Sequence, residues 1–179
     1  MKNGGKASVA SGVVAGVAGG LLASWIMNLF IEGVGPKLQQ AVQADGGEQS
    51  ASETSQNQTD GVPKEDATMK AAGRLARAFA GHDLSYEQKK TGGPLVHYAF
   101  GALMGGIYGG LAEHSPQLTN GFGTAFGGAL FAGADVIAVP ALNLAPASND
   151  VQALATPFAA HLVYGATTEL VRRVMRTAL

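Results

Sequence analysis

HYAFGALMGGIYGGLAE, residues 97–113, and HLVYGATTELVRR, residues 161–173, open on the same pattern. His97-Tyr98-Ala99-Phe100-Gly101 and His161-Leu162-Val163-Tyr164-Gly165 both read histidine, two residues, an aromatic ring, glycine. Each lies in an apolar stretch of a kind that crosses bilayers, for which about 20 residues suffice. An ionisable side chain at membrane depth is costly, so by default it marks a functional site. Two in matched settings suggest a duplicated unit whose halves face each other.

Working outward from these stretches gives four spans. Residues 9–31 contain no charged side chain. Residues 94–112 are interrupted only by His97, and 121–142 hold the single acid Asp135. The fourth span, 156–176, is more polar: it carries His161 and Glu169 and runs on through Arg172, Arg173 and Arg176. Those long stems can snorkel to the headgroups. Thr156 and Pro157 suit the N-cap and first position of this last helix. Pro140 and Pro146 read as a kink and then the end of span three. The expected fold is all-α: a four-helix transmembrane bundle.

Composition agrees with that reading. Among 179 residues there are 26 glycines, and only 14% are charged, with a net charge of −1. That balance gives no electrostatic footprint for nucleic acid. The absence of cysteine excludes disulfides, thiolate metal sites and cysteine nucleophiles. Mean hydropathy is only +0.13, because apolar spans are averaged with one very polar insert. The basic start and apolar first stretch also fit a signal peptide, but the stretch exceeds the usual 7 to 15 residues, roughly. Glu32, Gly33 and Pro36 at its end make a poor small-x-small cleavage site, so an uncleaved helix is the better account.

The insert has two parts. Residues 37–65 read as a flexible polar linker, because Gln43 to Thr59 contain no large apolar side chain to offset ordering entropy. Within 66–90, Met69, Ala72, Leu75, Ala76 and Phe79 recur at helical spacing. Lys70, Arg74 and Arg77 lie elsewhere, which predicts an external amphipathic segment on the membrane surface or across the bundle mouth. Ser85 followed by Gln88 forms a capping-box pattern. Lys2 and Lys6 before span one, and the arginines closing span four, place both termini in the cytoplasm and the long loop in the periplasm.

Spans two and four repeat the histidine pattern 64 residues apart, and Gly19-Gly20 in span one matches Gly127-Gly128 in span three. The chain thus resembles two parallel helical-hairpin repeats with the insert in the first. Glycines at four-residue spacing (Gly12, Gly16, Gly20; Gly101, Gly105, Gly109; Gly123, Gly127) let helix backbones approach. Tight packing in the bundle or a homodimer is the plain account of them; room for a flat cofactor or narrow pore is the sharper one. Trp25, Tyr98, Tyr108 and Tyr164 read as core or interface anchors. Glu169 with Arg172 and Arg173 reads as an interfacial ion pair.

With this topology Asn28, Glu32, His97, Asp135 and His161 gather as a polar cluster in the outer half of the bundle. Several chemistries fit. His97 and His161 could ligate one haem b axially. His97, His161 and Asp135 could hold a transition metal. A His, Asp and Asn group could also pass protons or bind a polar headgroup. The plain alternative is hydrogen bonding between helices. No hydrolase motif or phosphate-cradling loop occurs, which argues against an enzyme.

Over residues 97–113 and 161–173 the chain resembles the YagU-like bacterial inner-membrane proteins, a family of unknown biochemical function. The histidines, the later acids and the Arg172-Arg173 pair fall where that family has them; Asp135 has no counterpart, and the linker is not covered. The resemblance implies an integral inner-membrane helical protein and supplies no catalytic residues. Its function would be non-enzymatic: proton or small-solute handling, or a structural role in a homo-oligomer or larger membrane complex. A haem- or metal-binding electron-transfer subunit is the alternative.

Overall fold

The structure, a computed structural model, describes residues 4–45 and 65–178. Among these residues every regular element is helical and there is no strand. Helix α1 spans Gly4–Gly33 and is followed by α2, Gly35–Asp45. Helix α3 covers Ala67–Ala80 and α4 Tyr86–Ala112. A 3-10 segment, Pro116–Gly123, leads into α5, Thr124–Phe131, a π-helical segment, Ala132–Ala138, and the short α6, Val139–Ala141. Helix α7, Val151–Ala178, closes the chain.

Three stretches are long and apolar enough to cross a membrane: Val9–Gly33, Tyr86–Ala112 and Gln117–Ala141. They fit a membrane protein. Helix α7 has the length but is more polar throughout and is not among them.

Helix boundaries differ from the expected ones where local capping is stronger than the proline signal. The box of Ser85 and Gln88 opens α4 itself: Ser85 N–H donates to Gln88 Oε1 at 2.8 Å and Gln88 N–H to Ser85 Oγ at 3.3 Å. Residues 86–90 therefore belong to α4 rather than to the amphipathic segment, and Pro94 lies inside the helix. Likewise α7 begins at Val151, where Asp150 Oδ1 accepts the Gln152 N–H at 2.9 Å, and Thr156 and Pro157 are internal. Span three is not one regular helix, since Ala132–Ala138 widens to π geometry. Within the expected linker, residues 37–45 continue α2; 46–64, and Lys2, lie outside the described residues.

Glycine registers the helices. A Cβ on Gly16 would strike the Gly105 carbonyl oxygen, and one on Gly105 would strike that of Gly16. Gly20 meets Gly101 and Gly12 meets Gly109 in the same way, so α1 and α4 run antiparallel with backbones in contact. Gly123 with Gly165, and Gly127 with the His161 carbonyl, make a matching antiparallel contact between the α5 end and α7. Helix α1 also packs on α7, where Ala23, Met27, Ala160 and Tyr164 form the buried core and Phe30, Phe126 and Leu130 pack against it. The layout is α4, α1, α7 and α5 side by side.

Helix α3 lies on α4, burying Met69, Ala72 and Gly73. Asp66 caps it, accepting the Met69 N–H at 2.8 Å, and Gly81 ends it in the left-handed conformation at φ 71°. Its cationic face stays outward, with Arg74 reaching the Asn143 carbonyl at 3.5 Å.

Candidate functional site: a cavity beneath α3

A cavity of about 590 Å³ lies among α1, α4, the α5–α6 segment and α7. Ala67, Thr68 and Ala71 of α3 line it at one end. Its walls are mainly apolar, with Met27, Phe100, Met104, Leu130 and Leu142 among them. This is the usual make-up of a small-molecule site: an apolar surface carrying a few convergent polar groups.

Those polar groups come from three helices. His97 arrives from α4, Asp135 from the π-helical segment and His161 from α7, and all three line the cavity. His161 is 7% exposed; its Nδ1 donates to the Pro157 carbonyl at 2.9 Å and lies 3.7 Å from Asp135 Oδ2. Its ring meets Phe131 edge-on, with centroids 5.6 Å apart. His97 packs edge-on against Tyr98 at 5.7 Å, and its Nε2 is buried with no hydrogen-bond partner. Buried polar atoms are nearly always satisfied, so such an atom calls for an explanation. The π turn belongs to the same picture: these bulges occur mostly as single turns and often at functional sites. Here it carries the one acid of span three, with Gly133 open on its surface.

Two members of the expected polar cluster lie elsewhere. The Asn28 amide donates to the Tyr98 hydroxyl at 3.5 Å, which ties α1 to α4 beside the cavity. Glu32 is exposed near the end of α1, beyond the buried turns. Among the described residues no three His, Cys, Asp or Glu side chains are grouped closely enough to hold a metal ion, so His97, His161 and Asp135 do not make the expected metal set.

A second polar centre lies nearer the opposite end of the bundle, and its depth was not expected. Glu169 is fully buried. Arg172 grips it with a fork, Nε to Oε2 at 2.7 Å and Nη2 to Oε1 at 3.0 Å. Arg173 Nε adds a bond to Oε1 at 2.6 Å, and the Tyr108 hydroxyl donates to Oε2 at 2.9 Å. Arg172 and Arg176 also bind Glu113 of the α4 end, at 3.2 and 2.9 Å. Tyr108 stacks on Phe126 at 4.4 Å, while Arg173 lies 4.8 Å over the Phe122 ring. This is a saturated network, in which each buried charge has opposite charges and donors around it. Its sequence signal was the trio Glu169, Arg172 and Arg173; the partners Tyr108 and Glu113 are about 60 residues away in the chain.

The aromatic residues of the two repeated patterns also diverge. Tyr164 is buried and donates its hydroxyl to the Gly101 carbonyl at 2.6 Å, which ties one pattern directly to the other. Phe100 is 41% exposed and lines the cavity. Trp25 is 50% exposed, as suits a ring facing lipid or the interface.

No protein-family model matches the chain, nor does any curated protein or solved structure.

Proposed function

We propose that this chain is a non-enzymatic integral inner-membrane protein of four spans that binds a small, mainly apolar solute beneath α3. One observation carries the reading: His97, Asp135 and His161, from three separate helices, line one apolar cavity of about 590 Å³. Apolar walls favour an apolar body, while the three polar side chains orient one polar group. Helix α3 contributes Ala67, Thr68 and Ala71 to the cavity wall, and its exposed Leu75 and Phe79 suit the headgroup layer. The solute would then enter from the bilayer. Proton handling at the His161–Asp135 pair fits the same site.

The proposed architecture is two helical hairpins, α1 with α4 and the α5–α6 segment with α7, with termini in the cytoplasm and the insert outside. The glycine crossings of Gly20 with Gly101 and Gly123 with Gly165 support it. That register matches Gly20 to Gly123 when His97 is matched to His161, which moves the partner of Gly20 five residues, about 1.4 turns, from Gly128 and replaces the Gly19-Gly20 and Gly127-Gly128 pairing. Membership of the YagU-like family is part of the same proposal, as is a role in an assembly with a second copy or another membrane subunit.

Haem b held between His97 and His161 is the second reading, favoured by two imidazoles from α4 and α7 on one cavity. Purification in mild detergent separates the two. A Soret band lost in His161→Ala establishes haem; a colourless preparation refutes it. Solute binding is tested with fluorescent apolar probes in lipid nanodiscs. Saturable binding above empty discs, lost when Gly133 is left intact but Met104→Trp fills the cavity, supports the site. Equal signal from both discs refutes it.

A further inference from the structure

We infer that a recess between α3 and the first turn of α4 binds the phosphodiester of an anionic phospholipid, with Lys70 and Arg74 as its cationic partners. This rests on the proposed place of α3 at the bilayer surface and not on what fills the main cavity. The recess measures about 180 Å³ and gathers four cations, Lys70, Arg74 and Arg77 from α3 and Lys89 from α4. Only two acids, Glu65 and Asp83, line it with them. Gly73 makes the convergence possible. A Cβ there would lie 2.9 Å from Lys89 Cε, so the bare backbone lets the lysine stem cross onto α3.

Two of the four cations are matched. Lys89 Nζ meets Glu65 Oε1 at 2.8 Å, and Arg77 Nη2 meets Asp83 Oδ1 at 2.5 Å. Lys70 and Arg74 have no acid partner among the described residues. Asp66, one turn before Lys70, accepts the Met69 N–H and the Thr68 hydroxyl instead, and Arg74 reaches the Asn143 carbonyl at 3.5 Å. Like charges four residues apart on one helix repel, so an anion held between them relieves α3 of that repulsion. Arginine's planar fork takes two phosphate oxygens at once, and the lysine adds a point charge.

Depth selects the source of the phosphate. Lys89 and Lys90 are the last charged residues before 91–112, a run without Asp, Glu, Lys or Arg. At a rise of about 1.5 Å per residue, Lys89 stands roughly 3 Å above that run. The headgroup layer is about 5–7 Å deep on each side, so the recess lies within it. Phe79, 86% exposed, and Leu75 give α3 an apolar side for the chains of the same leaflet. A zwitterionic lipid brings its own cation to a recess already in cationic excess, and is the poorer ligand.

The test uses the full chain in maltoside detergent, with the exposed Ala78→Cys carrying the environment-sensitive dye NBD; the chain has no other cysteine. The probes are dihexanoyl phosphatidylglycerol, dihexanoyl phosphatidylcholine, inorganic phosphate and a glutamate decapeptide. Each Lys or Arg at an anionic surface is worth about fivefold in binding, so the phosphatidylglycerol should bind at least roughly tenfold more tightly than the phosphatidylcholine. Lys70→Gln with Arg74→Gln should narrow that preference to about threefold or less, whereas Lys70→Arg with Arg74→Lys should keep it. Equal binding of the two lipids overturns the inference, as does a preference that survives the double glutamine variant. Tighter binding of free phosphate would make the recess a soluble-anion site, and tighter binding of the peptide a protein contact; either overturns the lipid assignment. Quenching of the dye by doxyl-labelled lipid in phosphatidylcholine nanodiscs reports the place of α3 separately. Without quenching, the surface placement itself fails. Quenching without a phosphatidylglycerol preference leaves that placement standing and removes the phosphate site alone.

Discussion

Removing the Glu169 carboxylate should destabilise this fold more than any other single truncation in the polar network. Glu169 is fully buried and receives Arg172 through a two-bond fork, Arg173 through one bond and Tyr108 through its hydroxyl. Deleting one partner of a buried ion pair costs about 3–5 kcal/mol, because the other charge is left uncompensated. Two features put this site near the lower end. Arg172 keeps Glu113 at 3.2 Å, and Arg173 is 51% exposed, so water replaces much of what it loses. We therefore expect Glu169→Ala to cost about 3 kcal/mol, roughly a hundredfold in the folding equilibrium. Glu169→Gln keeps an acceptor for Tyr108 but loses the charge, and should cost less than the alanine variant. Tyr108→Phe should cost about 1 to 1.5 kcal/mol, the value of a typical buried hydrogen bond or slightly more. The assay is reversible unfolding in mixed micelles followed by circular dichroism. The two losses should be non-additive, since they share one bond: Tyr108→Phe should cost little once Glu169 is alanine. A Glu169→Ala loss below about 1 kcal/mol, or strict additivity with Tyr108→Phe, would refute the network as a stabilising unit.

Three further outcomes follow. Gly105→Ala places a methyl against the Gly16 carbonyl and the Gly20 backbone, so α1 and α4 must separate; a loss of about 1–3 kcal/mol is expected in the same assay. Gly133→Ala meets nothing within 4 Å and should be neutral or slightly stabilising, so equal losses at the two glycines would sink the close-crossing account. The chain has no cysteine, so single cysteines report topology cleanly. His82→Cys in intact cells should react with an impermeant maleimide, and Thr177→Cys only after lysis; the reverse pattern inverts the bundle. Arg74→Ala removes the tie from α3 to the Asn143 carbonyl and should speed probe exchange in nanodiscs, measured by stopped flow; an unchanged rate would mean that α3 does not control entry.

What could be read from the residues was whatever depends on short-range pattern. The apolar runs of α1 and α4, the glycine spacing and the amphipathic α3 all rest on periodicities of one helix at a time. His97, Asp135 and His161 were also legible as a group, because an ionisable residue in an apolar run is conspicuous alone. Glu32 does not line the cavity that its neighbour Ile31 reaches, because its side chain is on the exposed face of α1. The start of α7 was ambiguous locally: Asp150 and Thr156-Pro157 both look like helix openings, and the earlier one takes precedence with a side-chain cap. The π turn has no sequence signature of its own. The Glu169 ion pair with Arg172 and Arg173 is legible at helical spacing, but its depth is not, since its burial depends on Tyr108 and Glu113 on another helix, a relation that no local window contains.

The position of α1 has a consequence for biogenesis. It is synthesised before α4 and α7, yet it lies between them and supplies contact surfaces to both. Its glycine face has no partner until α4 is made, and its core face, with Ala23 and Met27, none until α7 follows. The translocon, an insertase or lipid must therefore hold a half-matched helix throughout synthesis. Shortening the delay, by trimming the insert between α2 and α3, should raise the yield of folded protein, whereas slowing translation after α4 should expose α1 to quality-control proteolysis.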